Sequence, residues 1–254
     1  MSHTKQIMNP EISIVSAHVS SPSWAKLLVQ SIRKYTTVPY EIVIIDNHSV
    51  PETLTWLEAQ SDVRLVRFYA NLRHGGSLDV GARLAKAPLV CFLDIDSHVQ
   101  RIGWDTDLIA LYDSDLKNKL IGVKGPDSHP LVAPLFLFEK KFVVDQWITF
   151  EYRPNDPAGD TAQQAFIDIQ AKGYKVVRLE LGNPLYDCGG DEVYLNGLPT
   201  FYHHGNGTRY NEHNPKIRKA ILGGITIEEH LKSKERLFAQ PQVREILDHG
   251  GKDE

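Results

Sequence analysis

The 254-residue chain has only two cysteines, Cys91 inside an apolar run and Cys188 far from it, so it offers neither a disulfide framework nor a thiolate metal cluster. A reducing compartment fits that scarcity, and the expectation is a cytoplasmic protein. Basic excess is also missing. Lysine and arginine number 28 against 32 aspartates and glutamates, a formal charge of −4 that argues against electrostatic nucleic-acid binding. No apolar run approaches the roughly 18 residues that a membrane-crossing helix needs, and Met1 to Pro10 has no apolar core of the signal-peptide kind. No transmembrane segment is expected, although contact with a membrane surface is compatible with these features. Internal repeats and low-complexity tracts are absent too. What is present is length enough for a sizeable core, read as one α/β domain.

The first half alternates short apolar runs with amphipathic segments, the pattern of a parallel sheet with helical crossovers. Strands are expected at Ile12 to Ala17, Glu41 to Asp46, Val63 to Phe68 and Leu89 to Leu93. Helices are expected at Trp24 to Tyr35 with a serine cap, from Pro51 to Ala59, and from Gly76 to Lys86 before Pro88. A helix over Trp104 to Asp113 and a strand over Leu120 to Lys124 follow. Gly125 to Pro134 reads as an irregular loop, Leu135 to Phe138 as an apolar segment, and the chain up to Trp147 as a short helix. Arg153 to Gly159 reads as a loop, Asp160 to Ala171 as a helix ended by Gly173, and Tyr174 to Leu179 as a strand. One charged helix is expected over Ile227 to Leu247.

The run Leu89 to Asp96 ends in two aspartates separated by one residue. Strand side chains alternate, so Asp94 and Asp96 share a side wherever the strand persists. Two such carboxylates suit a hard divalent cation that grips a phosphorylated substrate, while an acidic turn at a strand end is the simpler alternative. Ligands of parallel sheets bind at the carboxyl ends of the strands, and the polar residues gather there: His18, Asp46, Asn47, Asn71 and the aspartate pair.

In this order the motifs resemble the family 2 glycosyltransferases with the GT-A fold. The residues are Ser13-Ile14-Val15-Ser16-Ala17-His18, then Glu41-Ile42-Val43-Ile44-Ile45-Asp46-Asn47-His48-Ser49, then Asn71 to Gly76 with Gly81, then Ala87-Pro88 leading into the D-x-D. The likeness is strong over residues 11–115 and weak beyond. It implies a GT-A-type, Rossmann-like, mostly parallel sheet flanked by helices in a single domain. Residues 11–115 would form the nucleotide-sugar half, 116–225 the acceptor half, and 226–254 a C-terminal helix and tail. It further implies a metal-dependent transferase that moves a sugar from a nucleotide diphosphate to an acceptor hydroxyl, inverting by single displacement. UDP and dTDP are the expected donor nucleotides, with no motif to choose between them, and Mn2+ or Mg2+ the cofactor. The acceptor and the oligomeric state are left open.

Site residues follow from the same resemblance. Asp96 and Asp94 would hold the metal, joined by a late histidine, His203 or His204. Asp46 would bond the nucleobase beside Asn47, with the backbone of Ala17 and His18 packed against the base. Asn71, Arg73, Asp94 and Ile95 would complete the nucleotide-sugar contacts, although Arg73 is equally a surface ion-pair partner. Gly159-Asp160-Thr161 followed by Phe166 to Val176 looks like the family's acidic element, which makes Asp160 the candidate general base; as a helix cap it needs no catalytic role. Asp168 is the fallback. Trp147, Phe150 and Tyr152 are candidates for packing on an acceptor sugar, or for the core. Trp104 reads as structural.

Two alternatives compete. Cys91 to Ser97 also resembles the nucleophile strand of a haloacid-dehalogenase-type phosphatase, yet there the motif opens the core domain and here three strands precede it. The other is a catalytically inactive sugar-nucleotide or glycan-binding domain.

Overall fold

Four strands with nearly continuous apolar sequence lie side by side because both faces of a central parallel strand are covered by helices. β1 (Ile12–His18), β2 (Tyr40–Asn47), β3 (Val63–Phe68) and β4 (Leu89–Leu93) pair in parallel in the order β3-β2-β1-β4. The computed structural model describes residues 9–125, 131–151, 161–182, 186, 190–205 and 227–249. Alternation sends Ile12, Ile14, Ile42, Ile44, Cys91 and Leu93 into one core cluster and Val15, Val43, Ile45, Val90 and Phe92 into another.

The first face is covered by α1 (Pro22–Tyr35) and α4 (Trp104–Asp113), which bring the fully buried Trp24 and Trp104 to the core. The α1 start differs from the expected serine cap. Ser21 makes no side-chain cap bond; its backbone N–H donates instead to Nε2 of His18 at 3.1 Å, and Pro22 starts the helix. Pro51 opens only a 3-10 turn over Pro51–Thr53, followed by the one-turn α2 (Thr55–Glu58), where Leu54 and Leu57 are buried and Trp56 packs partly on the core. On the second face, α3 (Arg73–Leu84) begins three residues before the expected Gly76 and stops before Pro88 is reached. A Cβ on Gly81 would lie 2.3 Å from Cγ1 of Val15, so only glycine lets this helix settle onto β1.

Past β4, the short β5 (Ser97–Val99) has no counterpart in the sequence expectations. β6 (Asn118–Lys124) lies beside β7 (Leu131–Glu139), which runs antiparallel between β4 and β6. Gly125 to Pro134 is thus not wholly a loop: residues 126–130 lie outside the described residues, but β7 already starts at Leu131. The β6–β7 register shifts between Gly122 and Val123, and that irregularity accommodates Pro134 within a strand. α5 (Lys140–Asp145) and α6 (Gln163–Ala171) follow, and Gly173, at φ +79°, turns the chain into β8 (Lys175–Gly182). β8 pairs in parallel with β6 and antiparallel with β9 (Asp191–Leu195), which continues through β10 (Leu198–His203) to β5.

The sheet order is therefore β3-β2-β1-β4-β7-β6-β8-β9-β10-β5, a mainly parallel body with an antiparallel extension. The expected single helix over Ile227 to Leu247 is two helices, α7 (Ile227–Ala239) and α8 (Pro241–Asp248), because Pro241 cannot continue the first and starts the second. Among the described residues no helix is long and apolar enough to cross a membrane.

Candidate active site

The carboxyl ends of β1, β2 and β4 meet the N-terminal turn of α3, as expected for a parallel sheet. His18, buried at the end of β1, uses both ring nitrogens. Nε2 accepts the N–H of Ser21, which leaves the ring proton on Nδ1, 3.2 Å from Oγ of Ser49 and 3.6 Å from Oδ1 of Asp46. Asp46 is 1% exposed; its Oδ1 accepts the N–H of Ser49 at 3.2 Å, and Oδ2 lies 3.9 Å from Nε of Arg67. Burial opposes charge on Asp46, but the His18 and Ser49 hydrogen bonds outweigh it and hold its pKa below the ordinary value.

Asn47 and Asn71 are occupied with each other. Nδ2 of Asn47 donates to Oδ1 of Asn71 at 3.0 Å and to the Arg73 carbonyl at 3.2 Å, while Oδ1 of Asn47 accepts the N–H of Leu72. Oδ1 of Asn71 also accepts the N–H of Arg73 at 2.7 Å, which fixes Arg73 at φ +61° at the helix start. The Arg73 side chain is largely exposed, with Nη1 3.9 Å from Glu151. Ala17, half-buried, pairs with Ile45 across β1 and β2 and packs against the second core cluster.

The aspartate pair converges by a different route from strand alternation. β4 ends at Leu93, and Asp94 to Ser97 form a turn closed by the Ser97 N–H on the Asp94 carbonyl at 2.9 Å. Ile95, between the two, points into the core and offers a ligand only its backbone. The N–H of Asp94 is held by the Pro134 carbonyl at 3.2 Å, so the irregular stretch of β7 fixes the first aspartate.

β10 supplies the third group. Its pairing with β5 sets His203 opposite Ser97, and Nε2 of His203 lies 3.5 Å from Oδ2 of Asp94 and 3.5 Å from Oδ1 of Asp96. Asp94, Asp96 and His203 each bring a ligand atom within 4.8 Å of the others. Two carboxylates and one imidazole can together hold a divalent cation. His204 takes no part in this group: its ring packs on Trp24 at 4.8 Å, Nδ1 meets the Tyr202 hydroxyl at 3.1 Å, and its N–H donates to the Asp96 carbonyl. Burial works against charge on His203, yet the facing Asp96 and Asp94 raise its pKa to about 10. Burial likewise works against charge on Asp94, and His74 with His203 hold its carboxyl far below the usual range.

His74 escaped the sequence reading. It lies in the first turn of α3, and Nε2 is 3.0 Å from Oδ1 of Asp94. Its place inside Asn71 to Gly76, the segment that follows β3, was the available signal. Asp160 and Tyr152 lie outside the described residues. Asp168 sits on α6 and accepts a bond from Gln164. Phe150 is core, packed on Phe92, Phe136 and Phe138, whereas Trp147 is 79% exposed at φ +53°.

Residues 13–123 match the family model of glycosyl transferase family 2. No curated protein sequence matches. Among solved structures, residues 1–349 of Staphylococcus aureus TarS in complex with UDP-GlcNAc align at TM-score 0.55 and 15% identity, over 94% of this chain and 72% of that one. Against a longer TarS chain the alignment spans 44% of that chain. The mannosyltransferase PcManGT of Pyrobaculum calidifontis, in complex with GDP-Man and Mn2+, aligns at TM-score 0.56 and 13% identity, over 96% and 70%. At such identities these likenesses speak for the fold, while the family match covers β1 to β6 with both aspartates. The likeness to family 2 glycosyltransferases therefore lies in residues 13–123, and the fold of the whole chain is the mostly parallel GT-A fold of these structures.

Proposed function

We propose that the protein transfers a sugar from a nucleoside-diphosphate sugar to an acceptor hydroxyl, with Asp94, Asp96 and His203 as ligands of Mn2+ or Mg2+. The carrying observation is the convergence of these three groups at the carboxyl end of the family-matched sheet. When bound, the cation would neutralise charge that develops on the departing diphosphate. Asp46 hydrogen-bonds the nucleobase, the backbone of Ala17, His18 and Ile95 lines the nucleotide, and the Asn47–Asn71 clamp presents Arg73 towards base or diphosphate. UDP and dTDP are the donors to try first, and the UDP-GlcNAc and UDP complexes of TarS favour uracil. The GDP-Man and Mn2+ complex of PcManGT makes GDP sugars the second series and manganese the first metal.

In an inverting single displacement Asp160 takes the proton of the acceptor hydroxyl as its oxygen bonds to the anomeric carbon. The bond from that carbon to the diphosphate oxygen breaks, and its electron pair leaves with the diphosphate. The acceptor lies over the second half of the sheet, and the 79% exposed Trp147 is a candidate aromatic face for it. A phosphatase reading would require Asp94 as a free nucleophile opening the core, whereas three strands precede it and His74 and His203 both engage it.

Thermal melting with nucleoside diphosphates and sugar nucleotides, with and without Mn2+, tests the reading. A Mn2+-dependent rise in Tm with one nucleotide series is expected. No stabilisation by any nucleoside diphosphate in the presence of metal would overturn it.

A further inference from the structure

The family match and the metal trio assign no role to His74, yet its ring is placed between the two halves of the site. Nε2 is 3.0 Å from Oδ1 of Asp94, and Nδ1 is 3.3 Å from Oγ1 of Thr161, the residue that follows Asp160 in sequence. A ring protonated at Nε2 donates to Asp94 and accepts the Thr161 hydroxyl at Nδ1, so both contacts are satisfied by one neutral tautomer. The other carboxylate oxygen, Oδ2, is the one that faces His203. Asp94 is therefore divided: one oxygen is tied to α3 and the other turned into the cation group.

The backbone makes this placement rigid. Oδ1 of Asn71 holds the N–H of Arg73, and Asn47 Nδ2 holds the Arg73 carbonyl, so the residue before His74 is fixed from both sides. The next residue, Gly75, packs so closely that a Cβ there would lie 2.3 Å from the Phe150 carbonyl oxygen. Thr161, on the other side of the ring, is 7% exposed.

We infer that His74 is a positioning residue, which orients Asp94 for the cation through Nε2 and joins the metal site to the acceptor half through Nδ1 and Thr161. Outer hydrogen-bond partners that fix the orientation of a metal ligand typically change metal affinity about 10- to 100-fold when removed. The inference rests on the metal reading proposed above, and two isosteres separate its two arms. The amide nitrogen of glutamine reaches as far as Nε2, and that of asparagine only as far as Nδ1.

The experiment measures the Mn2+ dissociation constant of the full chain in the presence of UDP, by the signal of free Mn2+ in electron paramagnetic resonance, together with donor KM and kcat. His74→Asn should weaken Mn2+ binding about tenfold. His74→Gln should keep it within roughly threefold of wild type while lowering kcat through the lost Thr161 contact, a fraction of that outer-partner range. Both polar variants should melt near the wild-type temperature. Equal Mn2+ affinity in His74→Asn and wild type, or equal losses in both variants, overturns this inference alone. Absence of Mn2+ binding to the wild-type chain overturns it together with the metal reading.

Discussion

His203 and His204 are neighbours in sequence but belong to different parts of the molecule: Nε2 of His203 is 3.5 Å from Asp96, whereas the ring of His204 packs on Trp24. Substitution should separate them. On the proposed reading, His203→Ala removes the imidazole from the cation group and should lower Mn2+ affinity by at least about tenfold, as for loss of a ligand or its close partner. His204→Ala loses a ring contact and a hydrogen bond and should cost about 1–2 kcal/mol of stability with Mn2+ affinity unchanged. Titration with Mn2+ and urea unfolding of the two variants measure both effects, and a swapped pattern would refute the assignment.

Asp160→Ala addresses the proton-accepting step. Loss of a general base should reduce transfer about 100- to 10,000-fold, while the Mn2+-dependent Tm rise with nucleotide persists. Transfer at an undiminished rate would move the role to another residue, with Asp168 next in line.

Gly81→Ala probes the seat of α3. Its Cβ would intrude to 2.3 Å from Val15, and overpacking of this kind costs about 1–3 kcal/mol. Chemical unfolding should show that loss, and because α3 carries His74, metal affinity should fall along with it. A variant as stable as wild type would mean that the helix can lift from β1 freely.

Tyr112 supplies a pH signature remote from the site. Burial, with Glu139 and Asp113 nearby, pushes its pKa up from 10.0 to about 12. Below pH 10 the phenol is neutral in both folded and unfolded chains and contributes no slope. Between pH 10 and 12 the unfolded chain ionises first, so stability falls as pH rises, by about 2–3 kcal/mol at the upper end. Tyr112→Phe should remove that part of the alkaline loss, read as the difference between the two unfolding free energies below pH 10 and near pH 12. Parallel losses in both proteins would contradict it.

The first half of the sheet was legible because its signals are local. The strands over Val63–Phe68 and Leu89–Leu93 and the helix over Trp104–Asp113 have the boundaries that apolar period and flanking residues predict. The Asp94, Asp96 and His203 group was legible in its residue types but not in its geometry. Strand alternation does not bring Asp94 and Asp96 together; a turn does, and its closing bond from Ser97 leaves no mark on the sequence pattern. Pro134 in β7 and the break at Pro241 show opposite outcomes of the same residue, since tertiary pairing absorbed one proline as an irregularity and the other ended a helix. His74 stayed hidden because a lone histidine in a helix turn acquires meaning only from what the fold sets opposite it.

The pairing of β5 with β10 has a consequence for how the molecule is assembled. Ser97 and His203 meet across a ladder whose strands come from distant parts of the chain, so closing that long loop must precede completion of the trio. Non-local pairing of this kind is slow relative to helix formation, which places the site among the last features to form. A nascent chain that ends before β10 would carry both aspartates and still lack His203. On the proposed metal reading, cation uptake would report that β10 has docked against β5.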